Sequence, residues 1–119
     1  MATLTVQTIN DAGSSPTFSA ADAGGDQFVN TGNQVIVIDN TDGGDECIVT
    51  VTAEVTSIDL KQFGTVTKAN TTLTVAAGAI ATIGGLYTAI FNDGTGYAQI
   101  TYDQVEGVAV AVLINQTQI

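Results

Sequence analysis

Histidine, arginine and tryptophan are absent from these 119 residues, lysine occurs only at Lys61 and Lys68, and cysteine and proline occur once each. Each absence removes a class of chemistry. Without histidine, a serine or cysteine nucleophile has lost its usual base, and either lysine would have to be strongly desolvated to replace it. Two lysines against 12 acidic residues give a formal net charge of -10. A chain of that sign cannot neutralise phosphates, so free nucleic acid and anionic membrane surfaces are excluded as partners. Cys47 stands alone, which rules out an intrachain disulfide and a cysteine-based zinc site; it reads as a buried core thiol in a reducing compartment. Tyr87, Tyr97 and Tyr102 are the only tyrosines, a thin platform for stacking on sugars. The longest apolar run, residues 108–114, is too short to cross a bilayer as a helix, and residues 1–8 lack the basic start of a secretion signal. The expectation is a protein that stays in the compartment where it is made.

What is present is a β pattern. Apolar residues make up 45% of the chain and charged residues 12%, about half the usual charged share, so one domain with one hydrophobic core is expected rather than disorder. In residues 47–55, Cys47, Val49, Val51, Ala53 and Val55 alternate with Ile48, Thr50, Thr52 and Glu54, placing the first set inward. Residues 108–114 are apolar on both faces, which predicts a central strand or a subunit contact. Further strands are expected at 3–9, 35–39, 72–76, 80–83, 87–91 and 98–102, about eight in all. Gly- and Asn-rich segments at 40–45, 77–78 and 92–96 read as hairpin turns. No segment keeps a helical period for three turns; Ser19 to Gly24 is expected to give one helical turn at most. The fold class is therefore all-β: an antiparallel, jelly-roll-like β-sandwich with very little helix. Residues 31–119 are its core, and residues 1–30 are an N-terminal arm or edge segment of the same domain.

Nothing in the sequence assembles a reaction centre. Asp103 and Glu106 lie in a Tyr-Asp-Gln-Val-Glu-Gly stretch that reads as a solvated turn rather than a carboxylate pair for acid and base catalysis. The acidic loop 39–46 departs from the EF-hand template, with Thr41, Gly43 and Thr50 where calcium ligands are required, so a solvated hairpin is expected in place of a calcium site. Gly24-Gly25 and Gly84-Gly85 lack the following helix and lysine of a phosphate loop. No enzyme activity, cofactor or metal is expected. With so few charges, the outward strand faces are Thr, Ser, Gln, Ala and aliphatic residues, a surface that favours self-association.

The order of several segments carries a resemblance. ATLTVQTINDAGSSPTFSAADAGGDQFV at residues 2–29, Asn30-Thr31-Gly32, LTVAAGAIATIG at residues 73–84, Phe91-Asn92-Asp93, Gly96, Ile100-Thr101-Tyr102 and GVAVA at residues 107–111 together resemble the head decoration, or cement, proteins of tailed bacteriophages. The strongest elements are Ala-Asp-Ala-Gly-Gly-Asp-Gln-Phe at residues 21–28 and Val-Ala-Ala-Gly-Ala at residues 75–79. The resemblance implies a β-sandwich, made in the host cytoplasm, that sits on the capsid exterior of the virion as a homotrimer and locks the major capsid protein together. It implies capsid contacts through the N-terminal segment at Leu4, Val6, Ile9, Phe18 and Phe28. The subunit interface is expected at Ile80, Ile83, Ala109, Ala111 and Leu113, on the strands that are apolar on both sides. Two other classes fit the composition: a phage tail, baseplate or adaptor subunit, and a carbohydrate-binding or adhesin module.

Overall fold

The structure is a computed structural model and describes residues 1–116. It contains strands β1 (Ala2–Thr3), β2 (Val6–Ile9), β3 (Ser19–Ala20), β4 (Asp26–Val29), β5 (Val35–Asp39), β6 (Cys47–Val51), β7 (Ser57–Asp59), β8 (Thr65–Thr67), β9 (Thr71–Val75), β10 (Ile80–Gly84), β11 (Tyr97–Tyr102) and β12 (Ala109–Asn115), with one α-helical turn, α1 (Thr88–Phe91), and a 3-10 turn at Lys61–Phe63. One five-stranded sheet runs β1-β4-β11-β6-β9. The facing sheet runs β10-β5-β12-β2, with β3 also on β12, and β7-β8 form a separate hairpin. The fold is all-β and sandwich-like, as the alternation predicts. Among the described residues no helix is long and apolar enough to cross a membrane.

Alternation decides which side chains meet between the sheets. Phe28, Val49, Val51, Ala98 and Ile100 from the first sheet and Ile36, Ile38, Val110 and Val112 from the second are buried in one cluster. Each such side chain taken out of water stabilises the fold by about 1.5–3 kcal/mol. β12 is central, between β5 and β2/β3; Val110 and Val112 join the core, while Ala109, Ala111 and Leu113 lie on the outer face of the sheet.

Several expectations are corrected. The strand expected at residues 3–9 divides at Leu4-Thr5, where the chain leaves the first sheet for the second. That crossing makes β1 parallel to β4 and β2 parallel to β12, so the sheets are mixed rather than purely antiparallel. The helical turn expected at Ser19 to Gly24 is instead the short strand β3 and a tight turn. The strand expected at 87–91 is the helical turn α1, in which the Ile90 and Phe91 amides both donate to the Tyr87 carbonyl. Past Gly84-Gly85 the chain must cross between the sheets, and one helical turn provides the crossing. Strand β4 and the β7-β8 hairpin lie outside the strands expected from the alternation, and the strand starting at Cys47 ends at Val51 rather than Val55.

Candidate interaction surfaces

The two outer faces of the sandwich differ in chemistry, and the register shows how. Side chains directly opposite across paired strands share a face. On the first sheet the outward rows are Val29-Tyr97, Thr3-Gln27-Gln99, Thr101-Thr50-Thr72 and Ile48-Thr74, with Val29 49% and Ile48 37% exposed. The row that starts at Thr3 is a hydrogen-bonded ladder: Gln27 Nε2 donates to Thr3 Oγ1 at 3.0 Å, and Gln99 Nε2 donates to Gln27 Oε1 at 3.0 Å and to Asp93 Oδ2 at 2.7 Å. Gln99 Oε1 is left buried without a partner among the described residues, and the remainder of the face is mostly threonine, with Val29, Tyr97 and Ile48 as its apolar members.

On the second sheet the outward rows are Ile80-Asp39-Ala109-Ala20, Thr82-Val37-Ala111 and Gly84-Val35-Leu113-Gln7. Asp39 is the one ionisable group in these rows. Its carboxylate accepts from the Thr41 hydroxyl and the Thr41 amide, and those bonds, the hydroxyl first, hold its pKa below the usual value. Ile80 is 58% exposed and Val35 37%. Ala111 is buried yet lies outside the core cluster, as an outward residue does when taller neighbours shade it. Four of the five expected interface residues, Ile80, Ala109, Ala111 and Leu113, thus converge on one low-charge face. Ile83 does not: it alternates with Ile80 and Thr82, points inward and is part of the core.

The N-terminal set divides differently. Phe28 is wholly buried and Leu4 nearly so, both inside the core cluster, and Val6 packs against it. These three brace the monomer from within and are not available as outward anchors, which corrects that assignment. Phe18 is exposed and Ile9 half-buried on the β2 edge, so both remain at the surface. Gln7 lies in an outward row of the second sheet, and its side-chain amide acts as a piece of backbone. Its Nε2 donates to the Thr17 carbonyl at 2.7 Å and its Oε1 accepts from the Thr17 amide at 2.8 Å. This tie holds residues 10–18 against the sheet beside an open cleft of about 320 Å³ between β2 and β3, lined by Leu4, Thr5, Ser19, Val110 and Ala111 among others.

Several of the groups considered for chemistry have structural roles. Asp103 Oδ1 accepts from the Ile48 amide at 2.8 Å, so it caps a strand. The 39–46 loop is organised by Asn40, whose Nδ2 donates to the carbonyls of Asp45 (2.9 Å), Val75 (3.2 Å) and Ala76 (3.2 Å). Among the described residues no three acidic or thiol groups are clustered as metal ligands. Asp26 was not singled out in sequence but is fully buried. Its Oδ2 accepts from the Tyr102 hydroxyl at 2.7 Å and from the Asp22 amide at 3.3 Å, while Oδ1 has no partner among the described residues. Burial, followed by the Asp26 hydrogen bond, raises the Tyr102 pKa. Burial, followed by the Asp103 charge, raises that of Cys47, which leaves a protonated and unreactive thiol.

No family model, curated protein or solved structure matches this chain.

Proposed function

We propose that this protein is a non-catalytic virion component of a tailed bacteriophage. It binds the outer surface of the capsid shell and clamps the major capsid protein, acting as a homotrimer. The observation that carries the reading is the contrast between the two sheet faces. One is mainly Thr and Gln, with Val29, Tyr97 and Ile48 among them, and the other presents Val35, Val37, Ile80, Ala109, Ala111 and Leu113 with a single carboxylate at its corner. Three copies packed through the second face bury its aliphatic side chains, and a closed ring leaves no such face open to further addition. Phe18 and Ile9, on the edge beside that face, are the surface residues of the N-terminal segment that meet the shell. The net negative charge favours basic patches of the shell exterior and keeps the protein from packaged DNA.

The test is co-sedimentation with empty, undecorated heads of the phage that carries the gene. Wild-type protein pellets with heads in saturable amounts, and a Phe18→Ser/Ile9→Thr variant of unchanged melting temperature binds at least about tenfold more weakly. Wild-type protein that stays in the supernatant at all concentrations overturns the reading. Deleting residues 1–19 is a poor substitute, because it removes β1, β2 and the buried Leu4 along with the proposed contact.

A further inference from the structure

β10 is the last strand of its sheet, with β5 on one side and no strand on the other. The hydrogen bonds at its start fix where its main-chain groups point. The Asn40 amide donates to the Ala79 carbonyl and the Gly78 amide to the Asn40 carbonyl, each at 2.9 Å. The strand therefore enters through a bulge at Gly78, whose φ is +82°, and Ala79 faces β5. Ala81 and Ile83, paired with Ile38 and Ile36, face β5 likewise, and the amides and carbonyls of Ile80, Thr82 and Gly84 point off the sheet. Among the described residues those outward groups have no hydrogen-bond partner.

Natural sheets blunt such an edge with lysine, proline, an inward charge or a cover. β10 has none of the first three: residues 69–92 contain no charged residue and no proline. The other edges are managed. β9 begins beside Lys68, whose Nζ donates to Thr71 Oγ1 at 3.4 Å; β1 is two residues long; β2 has Thr17 tied to it through Gln7. In a chain of net charge -10, the β10 edge is also where a second acidic copy approaches without setting carboxylate against carboxylate.

We infer that β10 pairs with β10 of a second copy, antiparallel, about a twofold axis through Thr82. The strand is complementary to itself. An axis at Thr82 sets Thr82 against its counterpart and Ile80 against Gly84, so each outward amide meets an outward carbonyl. A shift of one residue sets them against groups already bonded to β5, and a shift of two leaves Ile80 or Gly84 without its match. The side chains agree. Ile80, 58% exposed, lies over the partner's Gly84, which has no side chain, and Thr beside Thr is a favourable cross-strand pair. Asp39 stands one strand behind Ile80, so across the axis it faces the partner's Gly84 and Val35 and no carboxylate. The contact is separate from the packing of the aliphatic faces and goes beyond it. A five-residue edge buries less than a stable interface needs, so free copies pair transiently and copies held side by side pair persistently.

The experiment is disulfide trapping, with diamide as the oxidant and non-reducing electrophoresis as the readout. Cys47 is buried, so wild type stays at 12.1 kDa. Opposed residues of such a pair have Cα atoms about 5.5 Å apart, within disulfide reach, and Thr82→Cys is expected to give a linked dimer. Ile80→Cys or Gly84→Cys alone is expected to give at least about tenfold less, because each lies about 13 Å along the strand from its counterpart; an equimolar mixture of the two links as well as Thr82→Cys. Amide exchange of wild type reads the same contact without a substitution: Ile80, Thr82 and Gly84 exchange fast in dilute protein and at least about twofold more slowly at millimolar concentration. Equal yields from the three single variants, no link in the mixture, or exchange at these amides that ignores concentration overturns the pairing. Trapping of Thr82→Cys that is lost when Leu113→Glu is added also overturns it, since the faces then bring the copies together. Trapping that survives Leu113→Glu supports it, whatever becomes of the sheet-face reading.

Discussion

Single polar residues hold the ends of this sandwich, and Asn40 does the most. It is fully buried and sits where β5 leaves its sheet. Its amide nitrogen satisfies three carbonyls from two other segments, and its backbone carbonyl accepts from the amides of Gly43 and Gly78. Asn40→Ala removes this donor from the buried Val75 carbonyl and the part-buried Asp45 carbonyl, while Ala76 keeps the Ala79 amide, and is expected to cost on the order of 2 kcal/mol, read as a shift in urea midpoint. Asn30 and Asn92 pair in a similar way near the other end, with Asn30 Nδ2 donating to Asn92 Oδ1 at 2.7 Å and Asn92 Nδ2 donating to the Asn30 carbonyl at 2.8 Å. Asp93 gives the pH dependence a definite sign. The Thr95 hydroxyl, then the Thr95 and Tyr97 amides, stabilise its carboxylate and lower its pKa to about 2. A depressed pKa contributes stability above the unfolded value, about 3.9, and that contribution is lost as pH falls toward the folded value. Asp93→Asn is therefore expected to destabilise the protein at neutral pH, with the gap to wild type closing between about pH 4 and pH 2 in denaturant titrations. Asp26 was illegible in sequence because its burial depends on Tyr102, which lies far along the chain.

At the scale of elements, strict alternation was the most readable signal. Cys47, Val49 and Val51 face inward as their spacing dictates, and Val108, Val110 and Val112 do the same. Strand β4 escaped notice because Asp26 holds an inward position ahead of Phe28, so the run looks polar although both residues are buried. Residues 3–9 read as one strand because Leu4 and Val6 share parity, yet the chain uses both inward positions in different sheets. The hairpin gave no pattern because its two three-residue strands pair only with each other and bury nothing. The apolar outer face of the second sheet was legible residue by residue in four of five cases; Ile83 was missed because a short run cannot say which parity faces the core. The β2 edge offers its own test. Gln7 holds Thr17 by two hydrogen bonds, so Gln7→Ala is expected to speed amide exchange across residues 10–18 while changing global stability by less than about 1 kcal/mol, as expected for an exposed pair of bonds.

The whole molecule is a two-faced sandwich whose acidic residues far outnumber its two lysines. Its interior explains why it folds, and its exterior explains why it is expected to assemble. About 55–60% of an ordinary protein surface is apolar, so scattered aliphatic residues mean little; what matters is that the outward rows of the second sheet are mainly aliphatic, while those of the first are mainly Thr and Gln, with Val29, Tyr97 and Ile48 among them. That segregation, with self-association through the aliphatic face, is the central claim. Sedimentation equilibrium of wild type beside Leu113→Glu tests it most directly, since Leu113 lies in the middle of that face. The account predicts a wild-type mass of about 36 kDa, three times the 12.1 kDa chain, and a folded monomer for the variant, because a carboxylate there would be buried without a partner. A wild-type protein that sediments at 12.1 kDa across the accessible concentration range would contradict it.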